Sequence, residues 1–332
     1  MTFSATQSEH IPSNPVDPVD PVILSNSAPT TSGASAWTYI AWQGFGFSVP
    51  REWNPIDVRG NRARGAMSLG DLHSVTMQVD WRAAGRRHRA DRAWKRYLKR
   101  QLGLKPGSDR LDDRPALTAR LRDGGWVDVK VARLEDRGGS IHALVRSVIS
   151  RRFILIRIVL GAGDDETSMV DRIFGSLREL EPGQPQSWGL YGFGFRVPER
   201  SQLNQWRMRP GHLEMTFRCR GLRIHWQRIA MARRTLGDRA VAEWLEQHLE
   251  SQNRRVAWKQ GPAAPRDGCA LYRRPRLIGP LCPTFLRTAG RSIAWDVTDA
   301  DQLVVLTVLG RQRRMDAVFA TLCESWNVVS GD

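Results

Sequence analysis

Phe45 to Pro50 reads FGFSVP, and Phe193 to Pro198 reads FGFRVP. A hexapeptide written twice in one chain restricts the fold, because each copy must find an equivalent place. Four further landmarks follow in the same order. Trp81 closes QVDW and Trp226 lies in RIHW. DRAWKRYLKRQL from Asp91 aligns with DRAVAEWLEQHL from Asp238. FILIRIVLG from Phe153 aligns with QLVVLTVLG from Gln302, and MVDRIFGSL from Met169 resembles MDAVFATL from Met315. The five offsets run from 145 to 149 residues. Five ordered matches argue for an internal duplication of a unit of about 145 residues, too long for a solenoid repeat. Each copy is therefore expected to be a domain with its own core.

This assigns residues 37–183 to a first domain, 184–187 to a linker and 188–330 to a second domain. Pro182, Gly183 and Pro185 punctuate the join. Residues 1–36 hold no Lys or Arg, three acids (Glu9, Asp17, Asp20) and many Pro, Ser and Thr. They read as a disordered acidic tail with a stiff stretch at NPVDPVDPV, serving as spacer or as a short peptide ligand.

Within each copy FGFxVP reads as the first strand, with Phe45, Phe47 and Val49 turned inward by the two-residue period. SVTMQVDW is a second alternating strand. Asp91–Leu102 is an amphipathic helix carrying Trp94, Tyr97, Leu98 and Leu102 on one face. Consecutive strands follow, joined by short turns such as RGG at 137–139, and a helix from Met169 closes the unit. Strands, helix, strands, helix in that order give an α+β class: an antiparallel sheet with helices on its faces.

The stretch FGFSVPREW, Phe45 to Trp53, and the closing strand-then-helix ending in IFGSL, Ile173 to Leu177, resemble the opening and closing of PsbP-like α/β/α sandwich domains. The same fold group includes a Ran-binding import factor and DcrB-type lipoproteins. In the second copy the tryptophan is delayed to Trp206. The resemblance implies two tandem α/β/α sandwiches. It also implies a non-catalytic binding or assembly role, since the group has no shared catalytic residues to carry over.

The bulk properties agree with a globular chain. Of 332 residues, 41% are hydrophobic and 25% charged. No run approaches the length of a membrane span, and the N-terminus lacks the basic and apolar regions of a secretory signal. Cys219, Cys269, Cys282 and Cys323 form no C-x-x-C pair. They read as reduced thiols, and a cytoplasmic location is expected.

Chemistry is sparse. The seven histidines show no H-E-x-x-H, and His225 beside Trp226 reads as a structural strand residue. Asp164 and Asp165 precede the closing helix and read as capping residues, since the second copy has Arg313 and Arg314 in the corresponding turn. No phosphate loop or nucleophile elbow occurs. No catalytic residue, cofactor site or metal site is assigned, and the protein is expected not to be an enzyme.

Charge supplies the functional candidate. The formal net charge is +16, and forty-five of the fifty basic residues are Arg. Residues 81–100 hold nine basic residues against Asp91 alone. From this segment Arg86, Arg87, Arg89, Arg92, Lys95, Arg96, Lys99 and Arg100 form the candidate partner-binding or polyanion-binding set. In the second copy Arg96, Lys99 and Arg100 become Glu243, Glu246 and Gln247, while Tyr97, Leu98 and Leu102 become Trp244, Leu245 and Leu249. Packing is kept and surface charge diverges, as expected if the copies contact different things or if a solvated face has drifted. The favoured reading is an interaction module that binds a protein partner through copy-specific surfaces. The alternatives are nucleic-acid binding through the basic helix, or a small-ligand site between sheet and helix. A convergent polar cluster in a pocket would favour the last.

Overall fold

The computed structural model describes residues 36–71, 73–85, 89–105, 107–135, 139–161, 166–252, 258–260, 268–273 and 289–328. The proposed tail up to residue 35, the RGG turn at 137 and 138, Asp164, Asp165 and Cys282 lie outside the described residues. Cys219 and Cys269 are free thiols.

The first half runs β1 (Trp37–Trp42), β2 (Phe45–Pro50), β3 (Asn54–Gly60), β4 (Arg64–Gly70), β5 (Val75–Ala83) and α1 (Ala90–Gln101). It continues β6 (Leu111–Asp113), α2 (Pro115–Asp123), β7 (Val127–Leu134), β8 (Ser140–Arg146), β9 (Arg152–Val159), α3 (Glu166–Ser176) and β10 (Arg178–Glu179). The second half runs β11 (Gln186–Leu190), β12 (Phe193–Val197), β13 (Gln202–Arg209), β14 (His212–Cys219), β15 (Leu222–Ala230), α4 (Ala232–Leu236) and α5 (Val241–Gln252). It ends β16 (Lys259–Gln260), β17 (Cys269–Arg273), β18 (Ala289–Val297), β19 (Gln302–Gly310), α6 (Gln312–Ser325) and β20 (Asn327–Val328).

Three antiparallel sheets result, so the class is α+β. The first half builds the order β3-β4-β5-β9-β8-β7-β6, and the second builds β13-β14-β15-β19-β18-β17-β16. Adding ten to each strand of the first order gives the second. A third sheet, β10-β2-β1-β11-β12-β20, takes three strands from each half and obeys the same rule about its centre.

The recurring hexapeptide is not the first strand of its unit. It is the second strand of a hairpin, β1–β2 or β11–β12, closed by a two-residue turn. Gln43 and Gly44 have φ of +51° and +90°, and Tyr191 and Gly192 have +56° and +68°. Two successive positive φ values match a type I′ turn, whose twist suits a tight hairpin. Gly46 is required by packing: a Cβ there would stand 2.1 Å from the Tyr39 hydroxyl, which crosses it from the paired strand.

Phe45, Phe47 and Val49 turn inward as expected, as do Phe193, Phe195 and Val197, and all are buried. Phe195 stacks on Trp226 at 4.7 Å between centroids. Each seven-stranded sheet lays its inner face on this aromatic layer and on the closing helices α3 and α6. Its outer face carries α1 in the first half and α4 with α5 in the second, over smaller clusters.

Three expectations are corrected. Separate cores are not found: one continuous cluster of buried side chains runs through both halves, and β1 pairs with β11 through Ala41 and Gly189. Residues 184–187 are not a free linker, because β11 begins at Gln186. The alignment of FILIRIVLG with QLVVLTVLG places Ile154 on Leu303, yet Ile154 faces the main core and Leu303 the outer cluster. A one-residue slip inverts every side chain of a strand. Pairing Met77↔Ile158 in the first half and Ile224↔Val308 in the second restores matching faces, and it sets Val79, not Trp81, level with Trp226.

Candidate functional site

Helix α1 forms because Ala90, Ala93 and Leu98 are buried and Trp94 and Tyr97 half-buried along one side. The side chains at 92, 95, 96, 99 and 100 recur at helical spacing on the other side. Arg89, Arg92, Lys95, Arg96, Lys99 and Arg100 are all exposed, so the structure brings these six expected residues onto one surface. Arg86 and Arg87 lie outside the described residues. Asp91 is paired with Lys130 of β7 at 2.9 Å, and this bond holds the Asp91 carboxyl below its usual range.

The underside of α1 holds a buried polar relay. Tyr97 Oη lies 2.6 Å from His142 Nδ1, and Ser140 Oγ lies 2.9 Å from His142 Nε2. Burial pushes the Tyr97 phenol up to about 12, so it stays protonated. Trp94 stacks on Tyr97 at 5.6 Å. The aromatic residues of α1 are thus committed to packing and offer no exposed stacking platform beside the cations.

In the second half α5 packs the same way, with Trp244, Leu245 and Leu249 buried. Glu243, Glu246 and Gln247 are exposed where α1 carries Arg96, Lys99 and Arg100. Gln247 accepts from Arg239 at 2.9 Å and donates to Glu243 at 3.3 Å.

A second arrangement, not foreseen from the sequence, lies on the outer face of the second seven-stranded sheet. Strand register sets Gln205, Thr216, His225, Thr307 and Ser292 side by side in one row across β13, β14, β15, β19 and β18. The matching row of the first half reads Asp57, Ser68, Gln78, Arg157 and His142. Gln227, almost fully buried, bridges two histidines: its amide nitrogen is 3.1 Å from His225 Nδ1 and its amide oxygen 2.9 Å from His248 Nε2. His248 comes from α5 and stacks on Trp244 at 4.7 Å. Burial pushes His225 down to about 4, only partly offset by Glu214. His248 is lowered for the same reason. Both rings are therefore neutral near pH 7.

Above this row opens a cleft of about 280 Å³ lined by Gln205, Arg207, Glu214, Arg223, His225 and Thr307 among others. His225, expected to be structural, is both tied into the sheet and presented to this cleft. Among the described residues no three His, Cys, Asp or Glu side chains converge as a metal site, and no helix is long and apolar enough to cross a membrane.

No family model matches the chain, and no curated protein matches it. Among solved structures, the Ran-binding protein Mog1p of Saccharomyces cerevisiae is a weak neighbour with a PsbP-like fold. It shows a TM-score of 0.32 and 10% identity, covering 44% of this chain and 96% of that one. The MucA/MucB complex of Pseudomonas aeruginosa gives 0.17 and 11%, covering 90% of this chain and 93% of that one. A transferrin-binding protein B variant from Haemophilus parasuis gives 0.12 and 7%, covering 84% of this chain and 76% of that one.

Proposed function

We propose that this chain is a non-enzymatic interaction module, a tandem pair of PsbP-like units from an internal duplication, that engages an acidic protein surface through α1. The observation that carries the reading is the contrast between equivalent helices. α1 and α5 bury corresponding side chains, yet α1 exposes Arg96, Lys99 and Arg100 where α5 exposes Glu243, Glu246 and Gln247. Like charges four residues apart destabilise a helix by about 0.2–0.5 kcal/mol per pair. α1 sustains three such pairs, Arg92/Arg96, Lys95/Lys99 and Arg96/Arg100, so its fold gains nothing from them. An acidic partner gives these charges a use, and electrostatic complementarity of this kind favours fast, specific association. A protein fits better than a single-stranded nucleic acid because Trp94 and Tyr97 face inward.

The test uses the full chain and its R96E/K99E/R100Q variant, which copies α5. Capture from a lysate of the source cells is compared across a salt series, with DNA and RNA binding followed in parallel by fluorescence anisotropy. A protein captured by the wild type and lost with the variant supports the reading. Equal capture by both forms refutes it, and steeply salt-dependent nucleic-acid binding lost with the variant replaces it with the polyanion reading.

A further inference from the structure

We propose that the cleft beside His225 is a binding site for a small carboxylate anion, separate from α1. The cleft is donor-rich. Gln205, Arg207 and Arg223 are exposed and stand at its rim, Thr216 and Thr307 lie deeper, and Glu214 is the one acid in its lining. Arg223 makes no ion pair among the described residues, and Thr216 and Thr307 flank His225 as its direct ladder partners on either side.

The centre of the site is positioned from behind. Gln227 places its amide nitrogen on His225 Nδ1, which leaves the ring hydrogen on Nε2. Gln227 is fixed in turn by His248, and His248 by its stack on Trp244. Thr307 Oγ1 lies 2.8 Å from the fully buried Ser292 Oγ, which itself donates to the Leu306 carbonyl at 3.3 Å, so Thr307 gives its hydrogen to Ser292 and the hydroxyl left to donate is that of Thr216. Gln205, with its amide oxygen toward Arg207, receives both Nε and Nη2 of that guanidinium at 3.1 and 3.2 Å. Donors held this way lose little side-chain freedom when an anion arrives. A neutral imidazole N–H, the Thr216 hydroxyl and a guanidinium can share the two oxygens of one carboxylate, which takes about four hydrogen bonds. The volume lies near the low end for ligand pockets, about 300 Å³, and so suits a small organic acid.

The first half lacks this arrangement. Gln78 stands where His225 does, and the histidine of that row, His142, is fully buried under Tyr97 of α1. The site belongs to the second half alone.

Acetate, succinate, citrate and inorganic phosphate, each up to about 10 mM, are titrated into the full chain by calorimetry. The His225 ring nitrogens are followed by long-range ¹H–¹⁵N correlation. The expected result is saturable binding of at least one carboxylate with a shift of the His225 resonances. R223Q, an exposed change that leaves the fold intact by circular dichroism, weakens binding about tenfold or more, and R96E/K99E/R100Q leaves it unchanged. The proposal is overturned if no carboxylate binds, if phosphate alone binds, or if R223Q binds as the wild type does.

Discussion

Tyr191, at the turn of the second-half hairpin, donates its hydroxyl hydrogen to the carbonyl oxygen of Pro55 on β3 of the first half, at 2.7 Å. The guanidinium of Arg228 sits over the same ring at 5.6 Å, and burial raises the phenol's pKa, so the donor remains protonated. Replacing Tyr191 with Phe keeps the ring and removes the bond. The expected loss is about 1 kcal/mol of unfolding free energy by urea denaturation, since a net hydrogen bond is of that order and the Pro55 oxygen is left without this donor.

The buried pair Arg152–Glu179, at 3.1 Å, fastens the other hairpin. Arg152 also donates to the Gln43 carbonyl at 2.7 Å, at the β1–β2 turn, and Ser147 donates to the Glu179 carboxylate. Glu179→Ala strands the guanidinium in the interior. A loss of about 3–5 kcal/mol is expected, read as a large fall in denaturation midpoint. R152M/E179L, which removes both charges, should recover most of it.

Gly46→Ala drives a methyl group to 2.1 Å from the Tyr39 hydroxyl. Overpacking of this kind costs about 1–3 kcal/mol. Adding Tyr39→Ser removes the two closest contacts and leaves only the Ile40 carbonyl oxygen, at 2.9 Å, to yield, so the double variant should melt above G46A alone. A G46A protein with unchanged melting temperature contradicts this packing.

His225 gives the second half a pH dependence. Its folded value, about 4, lies below the ordinary 6.5. Between these values the unfolded ring takes up a proton that the folded ring refuses, so stability falls as pH drops from 6.5 toward 4 and is unaffected above 6.5. The full effect is about 3 kcal/mol, and His248 acts in the same direction. Denaturation of the wild type and H225Q at about pH 7.5 and about pH 5 should show the smaller pH difference in the variant.

The charge swap R96E/K99E/R100Q should leave the fold intact, because each replaced side chain is exposed and α5 carries these residues on the same packing scheme. Its melting temperature should equal or slightly exceed that of the wild type, through relief of like-charge pairs.

Local pattern carries the α+β class, the inward Phe45, Phe47 and Val49, and the amphipathic α1. Strands β3 and β4 escape it, because NPIDVRG and RGAMSLG mix Pro and Gly into their runs. Helix α2 escapes it because Leu121 alone is buried along Pro115–Asp123, so no apolar stripe marks it, although Pro115 at its first turn suits a helix start. The six α1 cations are legible because a helix face is a local property. The His225 cleft is not, because Thr216 and Thr307 meet that histidine only through pairing register, and register is set by strands far apart in the chain.

The central six-stranded sheet has a consequence for dissection of the protein. At its middle β1 and β11 each satisfy the other's open edge, like two protomers fused into one molecule. A fragment ending before β11, or starting there, bares an unpaired strand beside a severed aromatic core. An uncapped strand is a template for another chain. A lone half would therefore meet a second copy of itself at the surface where it now meets its sibling, and self-association would mask whatever the half binds in the intact chain.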